Sequence, residues 1–317
     1  MAAPLFAAPH FDQAPVFESG KGGYTMYRIP GIVVTKKGTL LAYAEARKKS
    51  SRDWGSIDIV LRRSTDRGRT WSEPMFPAKV EGPLTQNPVN TANKIAEHGD
   101  ITYNNPMLIA DPKSGVVHFL FCIEYMRAFY MRSTDDGVTF SKPVEITNAF
   151  EAFRKEINWK VLALGPGHGI MLRNGRLLVP VWIALGTGSN GHGEGVASVI
   201  YSDDKGATWK AGEIAVPNTE EFVSPGETAA VELADGRVML NTRNGGKSNR
   251  RIINISPNGA TQWSKPRFDE ALWEPRCMAS LVRLSIKGRT RILFSNPYNL
   301  DRADGKTEPG ASRDRKN

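Results

Sequence analysis

The chain has 317 residues, 40% of them hydrophobic and 24% charged, which is the make-up of an ordinary globular protein and excludes a low-complexity or fibrous one. Its net charge of +9 is spread along the sequence without a polybasic block, so no nucleic-acid partner is implied, while an anionic partner is compatible with it. No apolar run approaches transmembrane length.

In chain order, residues 1–14 read as an N-terminal extension and 15–317 as one domain, because no Pro-, Gly- or Ser-rich linker divides them. The first ten residues have neither a basic start nor a long apolar core, so they do not read as a signal peptide. On that reading the chain is cytoplasmic if Met1 is its true start and secreted if a leader has been removed. Tyr27-Arg28-Ile29-Pro30 opens the first strand-like run. The turn glycines Gly38, Gly115, Gly175 and Gly236 are each followed by a short apolar run, as a strand leaving a hairpin is. Further strands are expected at Ile57–Arg63 and Val196–Tyr201, whereas residues 186–195, rich in glycine, read as a long flexible loop. Cys122 and Cys277 read as buried structural thiols, and no Cys/His spacing suggests zinc.

One eight-residue pattern recurs at Ser64–Trp71, Ser133–Phe140 and Ser202–Trp209, each 69 residues after the last, with a worn fourth copy at Ser256–Trp263. In such a turn the Asp and Ser side chains bond nearby backbone amides, Gly supplies the positive φ, and the closing aromatic anchors the turn in its own sheet. A fixed period of this size means one supersecondary unit repeated. With no convincing helical periodicity, the expectation is an all-β chain whose sheets repeat radially, a β-propeller. The aspartates Asp66, Asp135 and Asp204 are therefore expected to be turn structure, not chemistry.

Outside the repeats, polar residues gather where strands should emerge at a rim: Arg28; Glu45 and Arg47; Arg52 and Asp53; Glu227; Arg243; and a segment from Ser295 to Arg313, Arg315 and Asn317. Here the chain resembles the sialidase (neuraminidase) family of glycoside hydrolases over essentially all of residues 15–317. The likeness rests on Tyr27–Pro30, the Asp-box repeats, Gly165–Ile170, Gly175–Pro180, the Glu227–Arg243 segment and Ser295–Pro297. It implies a six-bladed propeller, the last blade incomplete in this chain, and exo-acting release of terminal sialic acid from a glycoprotein, glycolipid or oligosaccharide, with no metal or other cofactor.

The resemblance also implies roles. Arg28, Arg243 and Arg315 are expected to clamp the sugar carboxylate, Asp53 to act as acid and base, and Glu227 to polarise a tyrosine nucleophile. Arg47 is expected beside the acid/base loop, and Asn105 and Trp182 near the sugar's side-chain pockets. Guanidinium groups suit a carboxylate because they give planar, bidentate, permanently charged bonds. A phenol suits an anomeric carbon that already bears a carboxylate, and sialidases are an exception to the two-carboxylate rule on this account. A neighbouring carboxylate must then activate that phenol, whose free pKa is near 10, and the outcome is retention of configuration.

Alternatives stay open at several positions. Asp53 could pair with Arg52 in a surface loop, Glu232 competes with Glu227, and Arg313 with Arg315. The eight tyrosines include none at the expected place of the nucleophile, which falls beyond Asn317; Tyr298 precedes Arg315. A propeller that binds a sialylated or otherwise acidic glycan without turnover is the second reading. An Asp-box scaffold, which would need no arginine set, is the third.

Overall fold

The structure, a computed structural model, describes residues 11–297. It is all-β apart from one short helix and one 3₁₀ turn. The first sheet holds β1 (Met26–Val34), β2 (Leu40–Arg47) and β3 (Ile57–Ser64). After the helix α1 (Pro88–Asn93) come β4 (Tyr103–Ala110), β5 (Val117–Ile123), β6 (Arg127–Ser133) and β7 (Val144–Glu145), and then the 3₁₀ helix Thr147–Lys155. The third sheet is β8 (Val161–Leu164), β10 (Ile170–Met171), β11 (Leu177–Ala184), β12 (Gly195–Ser202) and β13 (Lys210–Ala211), while β9 (Gly167–His168) joins β4 of the second sheet in parallel. The fourth contains β14 (Thr228–Glu232), β15 (Val238–Thr242), β16 (Arg250–Ser256) and β17 (Arg267–Trp273), and the fifth β18 (Ser280–Ile286) and β19 (Arg289–Ser295).

The sheets stack in chain order. Leu41, Tyr43 and Leu61 of the first pack on Leu108, Phe119 and Met131 of the second. Met107, Leu120 and Tyr130 of the second meet Leu162, Val179 and Trp209 of the third. Leu178 and Val199 meet Leu240 and Ile252 of the fourth, and Ala229 and Val231 meet Leu281 and Phe294 of the fifth. Because both faces of the central strands are covered, β11 is a continuous apolar run and β5 is apolar but for the buried His118. Pro180, with no N–H to give, falls where the strand beside β11 is interrupted between Leu164 and Ile170.

The repeated turns close as their chemistry dictates. In the first, Ser64 Oγ accepts from the Gly68 amide (2.8 Å), and Asp66 accepts from the Thr70 amide (2.9 Å) and hydroxyl (2.6 Å). The second and third copies repeat these bonds through Ser133 and Asp135, and Ser202 and Asp204. Hydrogen bonds from Thr70 lead the effects that hold the Asp66 carboxyl down at about 2. The structure adds a second role, because the turn also leans on the preceding sheet. Asp136 accepts from Thr35 and Thr39 of the first sheet (both 2.5 Å), and Trp209 packs on Tyr130 of the second. A Cβ on Gly137 would lie 2.9 Å from Leu41. Ser133→Ala, which removes a buried acceptor and leaves the site untouched, should cost about 1 kcal/mol in urea unfolding without changing glycan binding.

Antiparallel pairing settles which residues share a rim. The turns β1–β2, β4–β5, β10–β11 and β14–β15 and all the Asp-boxes fall at one end of the sheets. The connections β2–β3, β5–β6, β11–β12 and β15–β16 fall at the other.

Candidate active site

Asp53 is organised by two arginines. Arg47, at the end of β2, is buried and places every part of its guanidinium. Its Nε and Nη2 donate to Glu45 Oε2 (3.1 and 2.6 Å), and its Nη1 to the carbonyls of Ser51 (2.6 Å) and Arg52 (2.7 Å) and to Asp53 Oδ1 (2.9 Å). Arg28 reaches the same carboxylate from β1, donating to Asp53 Oδ1 (3.2 Å) and to the Ser51 carbonyl (3.0 Å). Asp53 therefore pairs with Arg47 and Arg28, and no bond from Arg52 to it occurs among the described residues. A bulge between Arg28 and Gly31, with Ile29 at φ 56°, turns the Arg28 side chain to the rim. Burial works against the charge on Asp53, but Arg47, His192 and Arg28 outweigh it and hold the carboxyl below its ordinary value. The side chain is still 40% exposed, so a ligand can reach it.

Glu45 ties this arm to the second sheet, its Oε1 accepting from the Asn105 amide (2.9 Å). The Asn105 side chain is buried, with Nδ2 donating to the Leu164 carbonyl (2.8 Å) and Oδ1 accepting from Asn104 (2.9 Å). Burial, the leading influence, raises the Glu45 carboxyl above its ordinary value although Arg47 and the Asn105 amide oppose this.

Glu227 and Arg243 form the other arm, just outside the ladder of β14 and β15. Arg243 Nη1 lies 2.8 Å from Glu227 Oε2, and the Arg243 amide donates to the Glu227 carbonyl (2.9 Å). The two side chains are 32% and 22% exposed, so the pair opens to solvent. The competitor Glu232 sits at the far end of β14, engaged by Arg173 (3.2 Å) and Arg283 (3.6 Å).

The charges of both arms are felt at His192. Burial depresses its basicity, the negative charges of Asp53 and Glu227 oppose that, and Arg243 and Arg47 reinforce it, so four of the candidates act on one imidazole. Around it stand Tyr125 (ring centroids 5.0 Å apart), Trp182 (5.1 Å) and Trp54 (6.0 Å). His192 belongs to the glycine-rich segment expected to be a flexible loop. It is instead a hairpin extension of β11 and β12, closed by Leu185 N–H to the Glu194 carbonyl and Gly186 N–H to the His192 carbonyl (both 2.9 Å). Trp54 Nε1 donates to the Asn190 carbonyl (2.9 Å) and pins it to the Asp53 loop. The glycines permit this packing: a Cβ on Gly191, at φ 71°, would lie 2.6 Å from Ile95. Trp182 is half-buried, and its Nε1 has no hydrogen-bond partner among the described residues.

Tyr125, in the β5–β6 turn at φ 49°, stands on the Asp53 arm, its ring 4.6 Å from Trp54 and 5.0 Å from His192. Burial first, and then the charges of Glu45 and Asp53, push its phenol well above 10. That is the reverse of what activates a nucleophile. Arg313, Arg315 and Tyr298 lie outside the described residues.

Residues 38–304 match the family model described as a BNR repeat-like domain. The chain is 31% identical over 300 residues to a sialidase of Bacteroides fragilis, spanning 89% of this chain and 52% of that protein. It is 28% identical over 321 residues to a sialidase of Micromonospora viridifaciens, spanning 92% of this chain and 45% of that one. Among solved structures, a Hadza microbial sialidase aligns with a TM-score of 0.71 at 25% identity, over 92% of this chain and 55% of its own. The leech intramolecular trans-sialidase shares the fold, with a TM-score of 0.70 at 18% identity over 91% and 58% of the two chains. The chain thus spans about half the length of these relatives. With its all-β sheets, its Asp-box turns and this match over most of its length, the chain belongs to the sialidase family of BNR-repeat proteins.

Proposed function

We propose that the protein is an exo-α-sialidase that removes terminal sialic acid from glycoproteins, glycolipids or oligosaccharides with retention of configuration. The observation that carries this reading is the presence, on one rim, of an arginine-held aspartate (Asp53) and an arginine-paired glutamate (Glu227) contributed by different sheets. A lectin needs neither carboxylate. In this reading Arg28, Arg243 and Arg315 take the sugar carboxylate, Arg28 and Arg243 each trading an internal partner for it. Asp53 protonates the leaving oxygen and then deprotonates water for the second half-reaction. Glu227 draws the proton from a tyrosine that attacks the anomeric carbon. The half-buried Trp182 ring and the neighbouring Asn105 segment serve the sugar's side chains.

The same reading completes the fold as a six-bladed propeller. Five sheets stack in order among the described residues. Apolar side chains stand exposed on both flanking sheets, Ile32 and Val34 on the first and Val282, Leu284, Ile286, Ile292 and Leu293 on the fifth, where a further blade would pack.

A binding protein without turnover is the second reading. Incubation with a fluorogenic sialoside, alongside titration with a non-hydrolysable sialic acid analogue, separates the two. Release of the fluorophore supports the hydrolase; capture of the analogue without release supports the binder; absence of both rules out a sialic-acid site. Arg243→Ala should weaken analogue binding by about 3 kcal/mol, on the order of 100-fold, since it removes a charge-assisted carboxylate contact and strands Glu227.

A further inference from the structure

We propose that Arg251 and Glu274 are positioning residues that hold Arg243 in its carboxylate-binding pose, an inference that rests on the sialic-acid reading of the site. Arg251, on β16, is completely buried and makes four bonds. Nη1 donates to Glu274 Oε2 (3.0 Å) and to the Cys277 carbonyl (2.7 Å), Nη2 to the Asn241 carbonyl (2.8 Å), and Nε to Asn241 Oδ1 (2.5 Å). Glu274, just past β17 and equally buried, uses its other oxygen to accept from the Asn244 amide (3.2 Å).

Asn241 and Asn244 bracket Arg243. The β15–β16 ladder runs out at the Thr242–Ile252 pair, so beyond it the chain has lost its regular partner. What fixes the Arg243 backbone there is Glu227 and Gly226 on one side and the Arg251–Glu274 pair beneath. A buried ion pair is a poor way to gain stability, since an apolar pair of similar volume does as well or better. Three of its four outward bonds go to backbone and amide groups within two residues of the candidate clamp, the fourth to the Cys277 carbonyl. Against burial, Glu227 and then Glu274 also hold Arg243 in its charged form. A second pair, Glu45 with Arg47, stands in the same relation to Asp53, so each exposed carboxylate arm has a hidden salt bridge below it.

The test measures discrimination, which a general loss of stability would not change. The full chain and its Glu274→Gln and Arg251→Lys variants are titrated calorimetrically with 2-deoxy-2,3-didehydro-N-acetylneuraminic acid and with its methyl ester, which lacks the charge. Wild type should prefer the acid by at least about tenfold, as expected for charge-assisted bonds. Each variant should lose about tenfold in that ratio while its affinity for the ester changes by less than about twofold. An unchanged ratio, or an equal loss for acid and ester, overturns the inference and leaves the sialic-acid reading standing. Absence of any acid preference in wild type overturns that reading and this inference with it. Should a single variant fail to fold, the double variant Arg251→Met with Glu274→Gln removes both charges together and is judged by the same ratio.

Discussion

Arg47→Met should destabilise the protein by about 3–5 kcal/mol, the scale on which breaking a buried ion pair is felt. Arg47 is the cation that compensates Glu45, which has no exposed surface, and it also binds the Ser51 and Arg52 carbonyls and Asp53. Removing it strands a buried carboxylate and frees the loop that carries the acid/base candidate. Part of the cost is the charge itself, so the double variant Glu45→Gln with Arg47→Met should recover more than half of it in urea unfolding. It should not recover sialoside cleavage, because the Asp53 loop remains unheld. A single variant as stable as wild type would show that the Glu45–Arg47 pair does not organise this arm.

Asp53→Asn should reduce sialoside cleavage by about 10²- to 10⁴-fold, the usual contribution of a general acid and base, while leaving analogue binding within a few-fold of wild type. The pH dependence follows from its neighbours. In the free protein Asp53 faces Arg28 from β1, Arg47 and Glu45 from β2, Tyr125 from the β5–β6 turn, and His192 from the β11–β12 hairpin, and the cations hold its carboxyl below the ordinary range. On the proposed reading a bound sialic acid carboxylate would draw Arg28 away and set a negative charge beside Asp53, and both effects would raise its pKa. Binding is therefore coupled to proton uptake. Affinity should rise as pH falls between the free-state and bound-state values of Asp53, and flatten above and below that window. Calorimetry in buffers of different ionisation enthalpy reads the proton directly. Uptake that persists in Asp53→Asn would assign it to another group, His192 being the nearest candidate.

The repeated turns were legible because each is a local event. Ser, Asp, Gly and Thr within eight residues satisfy one another's hydrogen bonds, so spelling and structure coincide. Arg28, Arg47, Asp53, Glu227 and Arg243 could be read from motif context, and the structure brings them together on one rim. Glu232, a plausible alternative on paper, is separated from Glu227 by the length of β14, a consequence of strand direction that composition does not carry. The glycine-rich segment misled because glycine signals freedom of φ, and here that freedom is used to pack closely against Trp54 and Ile95.

Sequence alone determined the all-β character and the repeated turn and supplied the arginine and carboxylate candidates, since these depend on hydrogen bonds and side-chain chemistry within a few residues. Tertiary structure decided which of them meet. Glu45 reaches an amide 60 residues away, and Trp54 a carbonyl 136 residues away. His192, Tyr125 and the Arg251–Glu274 pair acquire meaning only when successive sheets stack and their rim connections converge. An arginine on a strand or a histidine in a loop has the same letters whether it faces water or a neighbouring sheet. The energy that separates those cases comes from burial and pairing, which exist only once the sheets are assembled.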